Sequence, residues 1–226
     1  MPMGRAMSDK EPQVRDLAFA CQCGSVRGVV HRADPSQGDY VVCHCTDCQA
    51  FAHYCHAGDQ VLDPFGGSHL FQSRCAQMTL SHGTEQLACL HLTDKPTLRW
   101  YTKCCRTPLF NTYRHGRVPY VTTFLANCDP TRWKPMLGPP LGHVFLEEAN
   151  GQPDNAKSLS TGTLMRRFFV RAMKDLWSGD CKRSALFDAV SLEPIATPHR
   201  LSTDEQASLY ERTSEQTATM AHPDDR

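Results

Sequence analysis

Tyr40-Val41-Val42-Cys43-His44-Cys45-Thr46-Asp47-Cys48 places three cysteines within six residues, directly behind a strand-like run. Thiolates this close repel one another unless a cation neutralises them, and inert core cysteines have no need of such crowding. A tetrahedral ion such as zinc takes three thiolates as corners and leaves a fourth for water, substrate or a distant ligand. The stretch therefore predicts a β domain with a metal held at a strand end.

Two more clusters lie on either side. Cys21-Gln22-Cys23-Gly24 comes about twenty residues earlier, and its glycine supplies the backbone freedom for two thiolates to turn onto one ion. Cys104-Cys105 closes the run Leu98–Lys103. Adjacent side chains point in different directions, so one of Cys104 and Cys105 is expected to approach the first pair; a vicinal disulfide is the alternative. The other five of the twelve cysteines (Cys55, Cys75, Cys89, Cys128, Cys181) are scattered and read as small buried hydrophobes. The first twenty residues hold Arg5, Asp9, Lys10, Glu11, Arg15 and Asp16 with no apolar run, so the expected compartment is a reducing cytoplasm and the clusters are metal ligands rather than disulfides.

Residues 1–16 are expected to form a flexible leader, and residues 17–128 a mainly β, zinc-binding domain. Its runs Ser25–His31, Tyr40–His44, His69–Arg74, Gln77–Ser81, Leu87–Leu92, Leu98–Lys103 and Pro119–Ala126 are short, rich in Val, Leu, Phe, Tyr and Thr, and punctuated by Gly, Pro, Asp and Ser. Residues 129–200 read as a C-terminal extension with an amphipathic helix at Thr163–Ser178, where Leu164/Met165, Phe168/Phe169, Ala172/Met173 and Leu176/Trp177 recur every four residues. That stripe is expected to cover the protein's own core or a subunit partner, with Arg166, Arg167, Arg171 and Lys174 off it; a membrane surface is the alternative. Residues 201–226 read as a short helix from Thr203 and a frayed tail.

Of the 226 residues 40% are apolar and 21% charged, as in globular domains, and 24 basic residues balance 24 acidic ones. That balance argues against nucleic-acid backbone binding, and no apolar stretch reaches the length of a membrane span. A homo-oligomer is allowed. The sequence has no phosphate-cradling glycine loop, Gly-x-Ser-x-Gly elbow or His-Glu-x-x-His helix. His44, His53 and His56 lie near the three-cysteine cluster in sequence, with a core or surface role as the plainer reading of each.

Cys-x-Cys-Gly, then Cys-x-Cys-x-x-Cys, then a distal cysteine followed by Thr107-Pro108-Leu109, resembles the glutathione-dependent formaldehyde-activating enzyme family, which shares its domain with centromere protein V. The likeness covers about Phe19–Ala126. It implies an Mss4-like fold of antiparallel sheets stapled by zinc, here with a C-terminal α-helical extension. By the same resemblance Cys21 and Cys23 match a structural zinc pair, and Cys43, Cys45 and Cys48 match an open, catalytic zinc site. The family's last motif, Phe-Cys-x-x-Cys-Gly, reads Tyr101-Thr102-Lys103-Cys104-Cys105-Arg106 here. Cys105 takes the second cysteine position and Thr102 stands in for the first, so the structural site is expected to be one ligand short unless Cys104, a histidine or water completes it. The departures and the extension suggest a divergent bacterial branch.

A zinc ion with three thiolates carries a net charge of minus one and is a weak Lewis acid for water. It suits the task of binding a small thiol such as glutathione and holding it as thiolate. The expected cofactor is zinc, one or two ions per chain, and the expected chemistry is carbon–sulfur bond formation or cleavage with an aldehyde, with Arg99, Arg106 or Arg114 receiving a substrate carboxylate. The alternatives are a non-catalytic zinc-stabilised binding module and a thiolate–zinc redox or metal sensor.

Overall fold

The computed structural model describes residues 15–221; most of the expected leader and the end of the expected tail lie outside them. Eleven strands and five α-helices are described among these residues, in the order β1 (Leu17–Ala20), β2 (Arg27–Val30), β3 (Asp39–Cys43), α1 (Thr46–Tyr54), α2 (Gly58–Val61), β4 (Ser68–Arg74), β5 (Met78–His82), β6 (Leu87–His91), β7 (Thr97–Thr102), β8 (Pro108–Tyr113), β9 (Tyr120–Phe124), α3 (Pro130–Leu137), β10 (His143–Val144), α4 (Thr161–Ser178), β11 (His199–Arg200) and α5 (Thr203–Ala221). The chain is mainly β, as expected. The seven expected runs correspond to β2 to β7 and β9, while β1, β8 and α1 were not singled out.

The strands form two sheets, a three-stranded one ordered β1-β2-β5 and an eight-stranded one ordered β10-β3-β4-β9-β8-β7-β6-β11. Pairing is antiparallel except at the two edges of the large sheet, where β10 and β11 join parallel to their neighbours. The segment after Asp129 thus supplies both edge strands of the large sheet.

Alternation along the strands gives the large sheet two different faces. On one, Val42, Phe71, Trp100, Phe110 and Val121 pack with Leu17, Phe19 and Met78 of the small sheet. On the other, Val41, Cys43, Leu70 and Phe124 pack with Phe51 of α1 and Leu209 of α5. Trp100 and Phe51 are fully buried; each contributes about 1.5–3 kcal/mol by leaving water. The result is a small sheet, a large sheet and a helical layer, with the thiols of Cys43 and Cys48 inside the second interface.

The helix expected at Thr163–Ser178 is α4, begun by Ser160, whose Oγ accepts the Thr163 amide. Its apolar stripe is only half covered: Phe168 and Ala172 are buried, whereas Met165, Phe169, Leu176 and Trp177 are exposed. Two of the basic residues off that stripe point inward. Arg167 and Arg171 reach the buried Asp39 carboxylate at 2.9 and 2.7 Å, and Asp175 pairs with Arg74. Buried carboxylates need such partners, and this requirement rotates the helix. The short helix expected from Thr203 is α5, 19 residues long and lying on α1. No helix among the described residues is long and apolar enough to cross a membrane.

Candidate metal centres

Four thiols meet where the turn after β1 approaches the β7–β8 turn. The Sγ atoms of Cys21, Cys23, Cys104 and Cys105 lie within 4.8 Å of one another. The individual separations are 3.6 Å for Cys21–Cys23, 3.9 Å for Cys21–Cys104, 3.4 Å for Cys23–Cys104 and 3.8 Å for Cys104–Cys105. Around a tetrahedral ion with metal–sulfur bonds of about 2.3 Å, thiolates sit about 3.8 Å apart, so the donor set fits a metal. All four cysteines are free, and none forms a vicinal disulfide.

One expectation about this site, that only one of Cys104 and Cys105 approaches the first pair, is corrected, and of the groups expected to fill the remaining position Cys104 is the one found there. Cys104 and Cys105 both join the first pair, and with Cys104 present the site has four thiols despite Thr102. The physical reason lies in the turn: Arg106 takes φ +56°, a left-handed conformation that bends the backbone so that neighbouring thiols converge. The Arg106 guanidinium lies 4.8 Å from the Tyr54 ring and 5.8 Å from that of Tyr101 and donates to the Tyr54 carbonyl, contacts that offset the cost of positive φ at a residue other than glycine. Gly24, at φ +74°, turns the other arm as expected. Thr102 is fully buried, and its Oγ1 lies 3.3 Å from the Cys105 sulfur, with Thr107 Oγ1 at 3.1 Å on the same atom. Burial opposes ionisation of Cys105, but these two hydroxyls and the Cys23 contacts outweigh it and bring the thiol down to about 5. Thr102 has therefore moved from the ligand role that the resemblance assigns to its position into support of the next thiol.

The second cluster is built by one strand–helix junction. Cys43 ends β3, Cys45 caps the start of α1, and Cys48 sits in the first turn with its amide 2.9 Å from the Cys45 carbonyl. The Sγ separations are 3.4 Å for Cys43–Cys45 and 3.7 Å for Cys43–Cys48, again the edges of a tetrahedral shell. No fourth Cys, His, Asp or Glu joins this cluster among the described residues. The partial positive charge at the start of α1 favours thiolates there. The Glu148 carboxylate from a distant loop accepts both the Thr46 amide and its hydroxyl, which holds the first turn in place.

A buried cation completes the second site. Arg99 is 5% exposed, and its Nη1 donates to Cys48 Sγ at 3.3 Å while Nη2 lies 4.0 Å from Asp47. Asp47 in turn accepts from Lys95 at 2.8 Å and from the Tyr210 hydroxyl of α5 at 2.5 Å. Hydrogen bonds from Cys43 and Cys45, with Arg99 beside them, hold the Cys48 thiol well below the ordinary range, while the Cys45 and Cys48 contacts together with burial push Cys43 up. Of the arginines considered for a substrate carboxylate, Arg99 is committed to Cys48 and Asp47, Arg106 stacks on tyrosines, and Arg114 is exposed.

The histidines close to this cluster in sequence stay out of it. His44 is fully buried, bonds His143 at 2.9 Å and the Phe65 carbonyl at 3.2 Å, and alternation turns it to the opposite side of β3 from Cys43. His53 is half-buried and His56 exposed. A group that the sequence reading did not find lies on the small-sheet side of the large sheet. Tyr40 Oη lies 2.6 Å from His69 Nδ1, and His69 Nε2 is 3.5 Å from Asp63, at the wall of a cavity of about 600 Å³ that Trp133 also lines. Burial, then the nearby Asp63 charge, pushes the Tyr40 phenol up to about 12. These residues are scattered along the chain without a spacing motif, and only the β3–β4 pairing aligns them.

The family described as a family of unknown function (DUF6151) has a model that matches residues 13–196, so the chain belongs to it. The matched stretch contains both cysteine clusters and ends before α5. No curated protein matches the chain. Among solved structures, a protein of Rhodobacter sphaeroides determined as a structural-genomics target is 14% identical, covers 49% of this chain and 85% of its own, and has a TM-score of 0.34. Likeness at that level carries no argument.

Proposed function

We propose that this DUF6151 chain is a zinc-dependent carbon–sulfur lyase-like enzyme that acts on the adduct of a small, glutathione-like thiol and an aldehyde. In this reading Cys21, Cys23, Cys104 and Cys105 hold a structural zinc, and Cys43, Cys45 and Cys48 hold a second one with a position free for the thiol. The resemblance to the formaldehyde-activating family, with its Mss4-like zinc fold, supports the assignment.

The observation that carries the reading is Arg99 against Cys48. Three thiolates and a divalent zinc sum to minus one, and the Arg99 guanidinium brings the centre to zero, which lowers the cost of admitting a further thiolate into a buried place. Zinc held there would keep an incoming thiol as its nucleophilic thiolate at neutral pH. The chain's own contribution is to fix the three sulfurs at the start of α1, to supply the compensating charge through Arg99, and to hold Asp47 away from the sulfurs through Lys95 and Tyr210. In the forward direction the thiol sulfur bonds the aldehyde carbon, the carbonyl π pair moves to oxygen, and the proton lost from the thiol ends on that oxygen. The reverse reaction releases both partners, with no change of oxidation state overall.

The test combines zinc per chain, by elemental analysis, with the rate of glutathione–formaldehyde adduct formation followed by NMR. Two zincs falling to about one in a folded Cys45→Ser variant, together with loss of rate enhancement, is the expected result. A wild-type protein with both zincs that leaves the rate unchanged would sink the enzyme reading.

A further inference from the structure

The outward half of α4 is a band of exposed apolar side chains. Met165, Phe169, Val170, Leu176 and Trp177 all reach solvent, Phe169 at 61% exposure and Trp177 at 88%. Met165, Phe169, the half-buried Met173 and Leu176 follow one another at helical spacing, and Trp177 lies two turns beyond Val170. The two rows therefore run side by side. The inward half is spoken for: Phe168 meets the Tyr120 ring and Asp175 meets Arg74. Single exposed apolar residues are ordinary, but a continuous band on a folded domain marks a surface that something covers.

The charges beside that band are of one sign. Asp175, the single carboxylate of α4, is buried against Arg74. Arg166, Arg167, Arg171 and Lys174 line a cavity of about 450 Å³ between α4 and the turn at Pro35 and Ser36, with Val170 joining it to the apolar band. Arg167 and Arg171 share the one Asp39 carboxylate, while Arg166 and Lys174 are exposed. Asp34, next to Pro35 in the turn, is occupied by the Ser36 amide and hydroxyl. Four cations thus meet one ion-paired carboxylate, and the cleft keeps a cationic surplus.

Band and cleft together ask for a partner that is anionic at its surface and apolar beneath it. A nucleic-acid backbone would answer the cations and leave Phe169 and Trp177 in water. A second copy of α4 laid on the first by two-fold symmetry would cover the band, but no exposed carboxylate on the helix would receive Arg166 and Lys174. A bilayer of anionic lipids meets both needs. Its acyl region takes the apolar side chains, its phosphates take the guanidinium and ammonium groups, and an indole such as that of Trp177 favours the boundary between them.

We propose that α4 seats the protein on an anionic phospholipid surface, with Met165, Phe169, Leu176 and Trp177 entering the lipid and the cleft beside Arg166 and Lys174 receiving a lipid phosphate. The helix lies along that surface, being too short of apolar residues to cross it. The cysteine clusters take no part, so this docking stands or falls apart from the chemistry proposed for them.

The experiment is flotation of the full chain with vesicles of phosphatidylcholine alone and of phosphatidylcholine mixed with phosphatidylglycerol, with tryptophan emission recorded in parallel. Trp100 and Trp133 are buried, so Trp177 is the tryptophan whose emission responds to lipid. The mixed vesicles are expected to bind at least tenfold more tightly than phosphatidylcholine, to shift the emission to the blue, and to lose affinity as salt rises. Two double variants at exposed positions, Phe169→Ser with Trp177→Ser and Arg166→Glu with Lys174→Glu, are each expected to lose tenfold or more, with the circular dichroism spectrum unchanged. No binding to the mixed vesicles, or equal binding by wild type and either double variant, would overturn the proposal. A wild-type dimer in sedimentation equilibrium that the Phe169→Ser, Trp177→Ser variant dissolves, without vesicle binding, would overturn it by giving the band to a second copy. Calorimetric binding of inorganic phosphate that the Arg166→Glu, Lys174→Glu variant abolishes, again without vesicle binding, would leave an anion cleft only and overturn the docking.

Discussion

The two cysteine clusters hold their sulfurs at nearly the same separations, 3.4–3.9 Å in one and 3.4–3.7 Å in the other, yet they are built in opposite ways. The four-thiol cluster joins two turns and leaves Cys23 and Cys104 exposed. The three-thiol cluster comes from one strand–helix junction, keeps Cys43 and Cys48 buried, and has an arginine where the other has a further thiol. Closing a ring of donors between distant turns ties parts of the fold together. Gathering three donors from six residues ties nothing together that the chain has not already joined, and leaves a buried, charge-compensated place. The first arrangement suits stability and the second chemistry.

With zinc at both clusters, as proposed, the widest separation between them should appear on removing it. Cys105→Ser, or chelation of wild type, is expected to lower unfolding free energy by several kcal/mol, since metal affinity at a structural site is folding free energy; denaturant titration measures it. A variant as stable as wild type would dissolve the contrast. Arg99→Met comes next, at about 3–5 kcal/mol in the zinc-loaded protein, because it strands negative charge in the core. Urea titration of that variant beside Lys95→Met, which removes an exposed partner of Asp47 and is expected to cost about 0–1 kcal/mol, shows whether burial of the cation is what matters.

Cys45→Ser should sharpen the comparison by losing about one zinc per chain while unfolding within about 1 kcal/mol of wild type, since its site crosslinks nothing distant; elemental analysis and thermal denaturation read the two quantities. At the four-thiol turn, Arg106→Ala is expected to cost about 1 kcal/mol through the lost tyrosine stacking, and Arg106→Gly less, because glycine relieves the positive φ. Equal losses would mean that the strain is negligible. The smallest effect expected is none: His69→Ala, on the opposite face of the sheet, should leave zinc per chain unchanged.

Much of this was legible in the chain. Spacing alone identified Cys43, Cys45 and Cys48 as a group, because six residues cannot carry three thiols far apart. Runs rich in Val, Leu, Phe, Tyr and Thr between turn residues marked most strands, and the four-residue recurrence marked α4. The orientation of α4 was not legible: nothing in its own stretch of sequence says that Arg167 and Arg171 reach Asp39 of β3. Nor was α1, whose start depends on Glu148 from a loop about a hundred residues away. At the four-thiol site the pairing of Cys104 with Cys105 ran against the usual divergence of neighbouring side chains, and only the left-handed turn at Arg106 reconciles them.

The sequence by itself determined that the protein is mainly β and that its cysteines cluster at metal-ligand spacing, because local reach and strand periodicity are properties of neighbouring residues. The tertiary structure decided what surrounds those cysteines: the guanidinium of Arg99 at Cys48 and the tyrosine of α5 at Asp47. Those juxtapositions follow from the register of β3, β4, β9, β8 and β7 and from the helices laid across them. Register is settled by burial of whole sheet faces at once, so no single stretch of the chain specifies it.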